Sequence, residues 1–179
     1  MYIKEIISLI EDYAPLKFQA SFDNSGLLCG DPERVLTSIL LCIDVTEEVI
    51  KEAIVKGHNL IISHHPLIFS GLKHITPATY VERCVIDAIK HDITIYAAHT
   101  NMDVVANGVS GRMADKLDLY HRQILQPEGD PMDGNGFGII GELQQPVESM
   151  AFLQQVKEIF RCDRLRYTTP HTSSIQRVA

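Results

Sequence analysis

Three short apolar runs, residues 36–45, 60–63 and 93–98, constrain this chain more than any other feature, because segments of helical period lie between them. Apolar runs of this length flanked by helices read as strands buried on both faces. Their alternation with helices implies parallel βαβ units with right-handed crossovers. The expected class is α/β, with a layered, parallel-type sheet and flanking helices. A chain of 179 residues is long enough to bury a sizeable core.

Ile3, Ile6, Ile7, Ile10 and Tyr13 recur at helical spacing, which predicts an opening amphipathic helix ended by Pro15. Asp23-Asn24-Ser25-Gly26 and Gly30-Asp31-Pro32 read as loop. Thr46 is placed to cap the helix after the first run, with Glu47 and Glu48 in its first turn and Gly57 at its end. Thr76-Pro77 reads as an N-cap followed by proline at the first helical position, giving a helix to about Lys90. A helix over 109–117 follows. Residues 126–136, rich in Pro, Gly and Asp, read as a turn or linker. After it come a strand over 137–143, a helix over 148–160, a strand over 165–168 and the start of a strand at Ile175. The organisation expected is an N-terminal α/β metal-binding lobe over 1–125 and the start of a second α/β lobe over 126–179, incomplete at its C-terminal end.

In open α/β sheets, chemistry gathers beyond the carboxyl ends of the strands. There the second run ends in His64-His65-Pro66 and the third in His99-Thr100-Asn101-Met102-Asp103. Imidazole with carboxylate suits zinc, manganese, iron and related divalent ions. A histidine pair alone is weak evidence; its position at a strand end is what gives it weight. Pro66 restricts the backbone of His65, and neighbouring side chains diverge, so one ion for each histidine is the more natural arrangement. Asp103 is expected beside or between them, since paired ions a few ångströms apart are a known hydrolytic arrangement. His99 could be a ligand, but reads rather as a group that orients one or serves as a general base. Asp44, on the same edge, reads as a helix-entry group or a second possible base. Two ions need more ligands than His64, His65 and Asp103, so the rest must come from water, another subunit or a further segment.

Other signals exclude function classes. Gly136-Phe137-Gly138-Ile139-Ile140-Gly141 matches GxGxxG, but a dinucleotide site needs a strand before it and a helix opening from it, and here the motif itself reads as a strand. A net charge of −7 without a basic cluster argues against nucleic acid. No apolar run approaches the roughly 18 residues of a membrane span, and the N-terminus does not read as a signal peptide. Cys29, Cys42, Cys84 and Cys162 form no CxxC pair and read as free thiols, which suits a reducing, cytoplasmic setting. His58, His74, His91, His121 and His171 have no clear carboxylate or histidine companion and read as surface or loop histidines. Ser63 and Ser70 lack the surroundings of an activated nucleophile.

Five ordered motifs carry a resemblance: Phe22-Asp23-Asn24-Ser25-Gly26-Leu27, Ile43-Asp44-Val45-Thr46, Leu60-Ile61-Ile62-Ser63-His64-His65-Pro66-Leu67-Ile68-Phe69, Ala98-His99-Thr100-Asn101-Met102-Asp103 and Gly136-Phe137-Gly138-Ile139-Ile140-Gly141-Glu142-Leu143. With these the chain resembles the Nif-three-like dinuclear-metal proteins, whose bacterial members are often labelled GTP cyclohydrolase I type 2 homologues. The resemblance implies a Nif-three-like fold and a two-ion centre with His64, His65 and Asp103 as ligands, the ions being zinc, manganese, iron or magnesium. In the family a histidine and a glutamate near the C-terminus complete the site, at positions this sequence does not contain. The resemblance further implies toroidal homohexamers, a nucleotide or other small-molecule substrate, and a metal-dependent hydrolase of the GTP cyclohydrolase type. The alternative is a non-catalytic metal-handling or protein-interaction scaffold.

Overall fold

The structure, a computed structural model, describes residues 1–127 and 134–179. The expected turn or linker over 126–136 therefore falls largely outside the described residues. Two compact units emerge, Met1–Met102 and Asp103–Ala179.

The first unit contains α1 (Ile3–Tyr13), a 3-10 turn at Leu16–Phe18, β1 (Gly26–Cys29), β2 (Ile39–Cys42), α2 (Glu47–Lys56), β3 (Leu60–Ser63), α3 (Tyr80–Lys90) and β4 (Thr94–Ala97), and α4 (Thr100–Val104) leads out of it. The sheet order is β1-β4-β3-β2. The strands β2, β3 and β4 run parallel, as expected, in the registers Ile39↔Leu60 and Leu60↔Thr94. The strand β1 is antiparallel to β4, so the sheet is mixed. Four residues between two glycine-containing turns are too few to show a period, which is why the sequence does not single out β1. The runs expected over 36–45 and 93–98 shorten to four-residue strands because each pairs only along the four residues of β3.

Side chains alternate across the sheet, and both faces are covered. Ile61, Ile93 and Ile95 pack with Ile50 and Ala53 of α2 and with Cys84, Val85 and Ala88 of α3. On the opposite face Leu60, Tyr96 and Ala98 pack against Ile3 and Ile7 of α1. Thr46 caps α2 by accepting from the Val49 N–H, and Gly57 ends it in the left-handed region at φ 73°. The helix α3 starts later than Thr76-Pro77 suggests. Thr79 stands three residues before Glu82, the spacing of a helix start, and its hydroxyl accepts from the Glu82 N–H. Thr76 instead donates to Glu82 Oε2 at 2.8 Å. Gly30 closes β1 at φ +100°, where a Cβ would lie 2.6 Å from Thr94 Cα.

The second unit contains α5 (Val109–Lys116), β5 (Tyr120–Pro127), β6 (Gly136–Glu148), α6 (Ser149–Ile159) and β7 (Ser174–Val178). Its sheet, β5-β6-β7, is antiparallel throughout. The strand expected at Ile175 is β7. The one expected over 165–168 is irregular instead; Arg164, Arg166 and Tyr167 are exposed and only Leu165 is partly sheltered, too little apolar surface to hold a strand. The GxGxxG residues lie within β6, where a Cβ at Gly136 would meet the Gln126 carbonyl at 2.3 Å. These glycines serve close strand pairing. Among the described residues no helix is long and apolar enough to cross a membrane.

Candidate metal centre

The sheet continues past its strands to fix the histidine loop. The His64 N–H donates to the Cys42 carbonyl at 3.2 Å and the His65 N–H to the Ile43 carbonyl at 2.9 Å. Ser63 Oγ closes the turn by donating to the His65 carbonyl at 2.8 Å. On the neighbouring strand the Ala98 N–H donates to the Ser63 carbonyl at 2.9 Å, which brings the chain off β4 beside this loop. The His99 N–H donates to Asn101 Oδ1 at 3.0 Å. Fully buried Asn101 in turn donates through Nδ2 to the Ala14 carbonyl at 2.7 Å, anchoring the turn to the end of α1.

This backbone gathers His64, His65 and His99. Their ring centroids lie 5.0, 5.2 and 5.5 Å apart, and one nitrogen from each ring falls within 4.8 Å of the others. The rings of His64 and His65 do not diverge as neighbouring side chains were expected to. Each Nδ1 is committed: His64 to the Ala98 carbonyl at 2.9 Å, His65 to Asp44 Oδ1 at 2.8 Å and His99 to Asp23 Oδ1 at 2.8 Å. Carbonyl and carboxylate oxygens only accept, so each Nδ1 carries the hydrogen, and in the neutral ring the lone pair lies on Nε2. Metal-binding histidines are oriented in this way.

The two carboxylates differ. The Asp44 side chain is largely exposed, whereas that of Asp23 has no exposed surface. Asp23 also accepts from the Thr100 N–H at 3.1 Å, Thr100 Oγ1, Ser25 Oγ at 2.8 Å and the Asn24 N–H at 2.7 Å. Burial pushes its carboxyl up, but the hydrogen bonds from His99, Thr100, Ser25 and Asn24 outweigh this and hold it well below the usual carboxylate range. Asn24 Nδ2 donates to the Ile68 carbonyl at 2.5 Å, tying this loop to the segment after the histidine pair.

Three imidazole donors fit a borderline divalent ion such as zinc, iron or manganese, and fit magnesium poorly, since it prefers oxygen. Of the residues singled out from sequence, His64, His65 and His99 meet in one cluster and Asp44 holds one of its rings. Asp103 lies in α4 and opens the second unit. Residue-level reading missed Asp23; only its place in the Phe22–Leu27 motif marked it. His58 Nδ1 pairs with Ser38 Oγ at 2.6 Å, a hydroxyl rather than a carboxylate or a second imidazole.

A family description, Duf34/NIF3 (NGG1p interacting factor 3), matches residues 1–179. A Clostridium perfringens protein named GTP cyclohydrolase 1 type 2 homolog is 38% identical over 180 residues, covering 100% of this chain and 68% of that one. A protein of the same name from Clostridium acetobutylicum is 36% identical over 165 residues, covering 92% of this chain and 62% of its own length. The chain thus spans about two thirds of the length of these curated relatives. The crystal structure of the Staphylococcus aureus hypothetical protein SA1388 superposes with a TM-score of 0.87 at 27% identity, covering 99% of this chain and 70% of that one.

Proposed function

The chain belongs to the Duf34/NIF3 family, and from that premise we propose that it binds divalent metal ions at the histidine cluster and acts as a metal-dependent hydrolase. The observation that carries this reading is the convergence of three imidazole nitrogens within 4.8 Å, each ring with its Nδ1 spent on an acceptor. In its fuller form the proposal is a dinuclear centre to which Asp103 adds a carboxylate. A bound ion supplies Lewis-acid stabilisation of developing negative charge. The chain's own part is to hold the donors: Asp44 and the Ala98 carbonyl keep the rings of His65 and His64 in one tautomer, and Asp23 does the same for His99. The names of the relatives point to a nucleotide as substrate.

A second reading, metal handling without turnover, draws on a specific observation. Arg34 and Arg83, the arginines of the first unit, are both ion-paired, to Asp92 and Glu47, which leaves no free guanidinium there to clamp a triphosphate. The two readings separate by experiment. Elemental analysis of protein purified without chelator should find divalent metal, and His64→Ala should lose it. Loss of nucleotide hydrolysis in the same variant supports the enzyme. Metal retention by wild type with no turnover of any nucleotide supports metal handling, and absence of metal from wild type overturns both. Self-association to a hexamer belongs to the same proposal and is tested by light scattering. A cytoplasmic setting suits four cysteines that are all free.

A further inference from the structure

We infer that Phe22 and Phe69 form a stacking platform beside the histidine cluster, one that takes the planar base of a nucleotide or nucleoside. This rests on the hydrolase reading above and deepens it, by assigning residues of the first unit to the base rather than to the metal or the phosphates.

Large apolar side chains exposed singly need no explanation. Phe22 and Phe69, 69% and 50% exposed, are instead carried by the two loops that build the cluster. Phe22 directly precedes Asp23, whose carboxylate accepts from His99 Nδ1 at 2.8 Å. Phe69 directly follows Ile68, on the loop that His64 and His65 begin. The loops are joined where Asn24 Nδ2 donates to the Ile68 carbonyl at 2.5 Å. Both phenylalanines are thus held within two residues of one hydrogen bond. A core is at hand for Phe69, since Leu67 and Ile68 beside it pack with Ile50, Ala53 and Val85. Its exposure is therefore a matter of placement and not of missing apolar neighbours.

The chemistry around the two rings selects the occupant. Aliphatic side chains would accept any apolar group, whereas phenyl faces favour a flat π-system, and every nucleobase offers one. Asn24 spends its amide nitrogen on Ile68, which leaves its Oδ1 as the acceptor for a ring N–H or an exocyclic amine. Phosphates find little here. Arg34 and Arg83 are ion-paired to Asp92 and Glu47, and the chain carries a net charge of −7. The same pairing that denies a triphosphate its clamp shifts recognition to the base. Both loops are pinned before any ligand arrives, Asp23 by Thr100 and Ser25 as well as by His99, so the platform is ordered in advance and binding has little loop entropy to overcome.

The test is calorimetric titration of the full, Zn²⁺-loaded chain with guanosine 5′-monophosphate and with ribose 5-phosphate, which differ only in the base. Phe22 and Phe69 are each replaced by Ala, by Leu, which keeps apolar area without a ring face, and by Trp, which keeps the face. Metal-free thermal melts check folding, and the Leu and Trp variants keep the test decisive if an alanine variant melts early. The expected result is that the nucleotide binds more tightly than ribose 5-phosphate and that Phe22→Ala and Phe69→Ala each weaken it roughly 5–150-fold. The Leu variants should stay near the alanine ones and the Trp variants near wild type, with Zn²⁺ and ribose 5-phosphate binding unchanged throughout. Equal binding of the two probes by wild type, unchanged nucleotide affinity in either alanine variant, or full recovery with Leu overturns the inference and leaves the metal-binding reading intact. Failure of the wild type to bind Zn²⁺ overturns both.

Discussion

Cys84 is 1% exposed, and burial, with Glu47 and Asp87 adding repulsion, pushes its thiol up to about 11. An unfolded cysteine ionises near 8.5. The folded state therefore holds its proton longer, and the stability this gives is fully present below about pH 8.5 and lost as pH rises toward the folded value. Denaturant melts from pH 7 to 10.5 should show stability falling across the alkaline half, with a shallower fall in Cys84→Ala. Backbone geometry makes an equally local prediction at Gly30. Its φ of +100° and the 2.6 Å approach of a Cβ to Thr94 Cα should make Gly30→Ala cost about 1–3 kcal/mol, read by urea unfolding. Legibility at this scale follows chain distance. His64 and His65 were readable because they sit where an apolar run ends. Asp23 was not, because its partner His99 is 76 residues away and no local period reports such a contact.

Elements announce themselves when their ends carry chemistry. Thr46 and Gly57 delimit α2 as their residue types dictate, whereas the start of α3 turned on a competition between two threonines that spacing to Glu82 decided. Thr79→Ala should destabilise the protein by about 1 kcal/mol, and Thr76→Ala, whose hydroxyl meets only an exposed carboxylate, by clearly less; equal losses in urea melts would put the cap elsewhere. The parallel strands were legible as unbroken apolar runs, β3 and β4 because both their faces are covered. Of the antiparallel strands, β6 and the start of β7 were legible as apolar runs, but β1 and β5 were not. Most of β5, including Tyr120, His121 and Arg122, is exposed, so its sequence reads like loop, and β1 is too short to show alternation.

For the molecule as a whole, metal binding and folding are linked. Any ion that binds only the folded state adds about 2.7 kcal/mol at a hundredfold excess over Kd. Thermal scans should show Zn²⁺ raising the midpoint, chelator reversing the rise, and His64→Ala showing neither. The hydrogen bonds behind the histidines also settle a question of charge. An arriving ion meets three imidazoles first, yet Asp23 and Asp44 stand one imidazole's width behind two of them. One divalent cation balances those two carboxylates, and a second finds its counter-charge only in further groups such as Asp103. Part of the charge an ion meets is thus set by residues that reach it only through an imidazole.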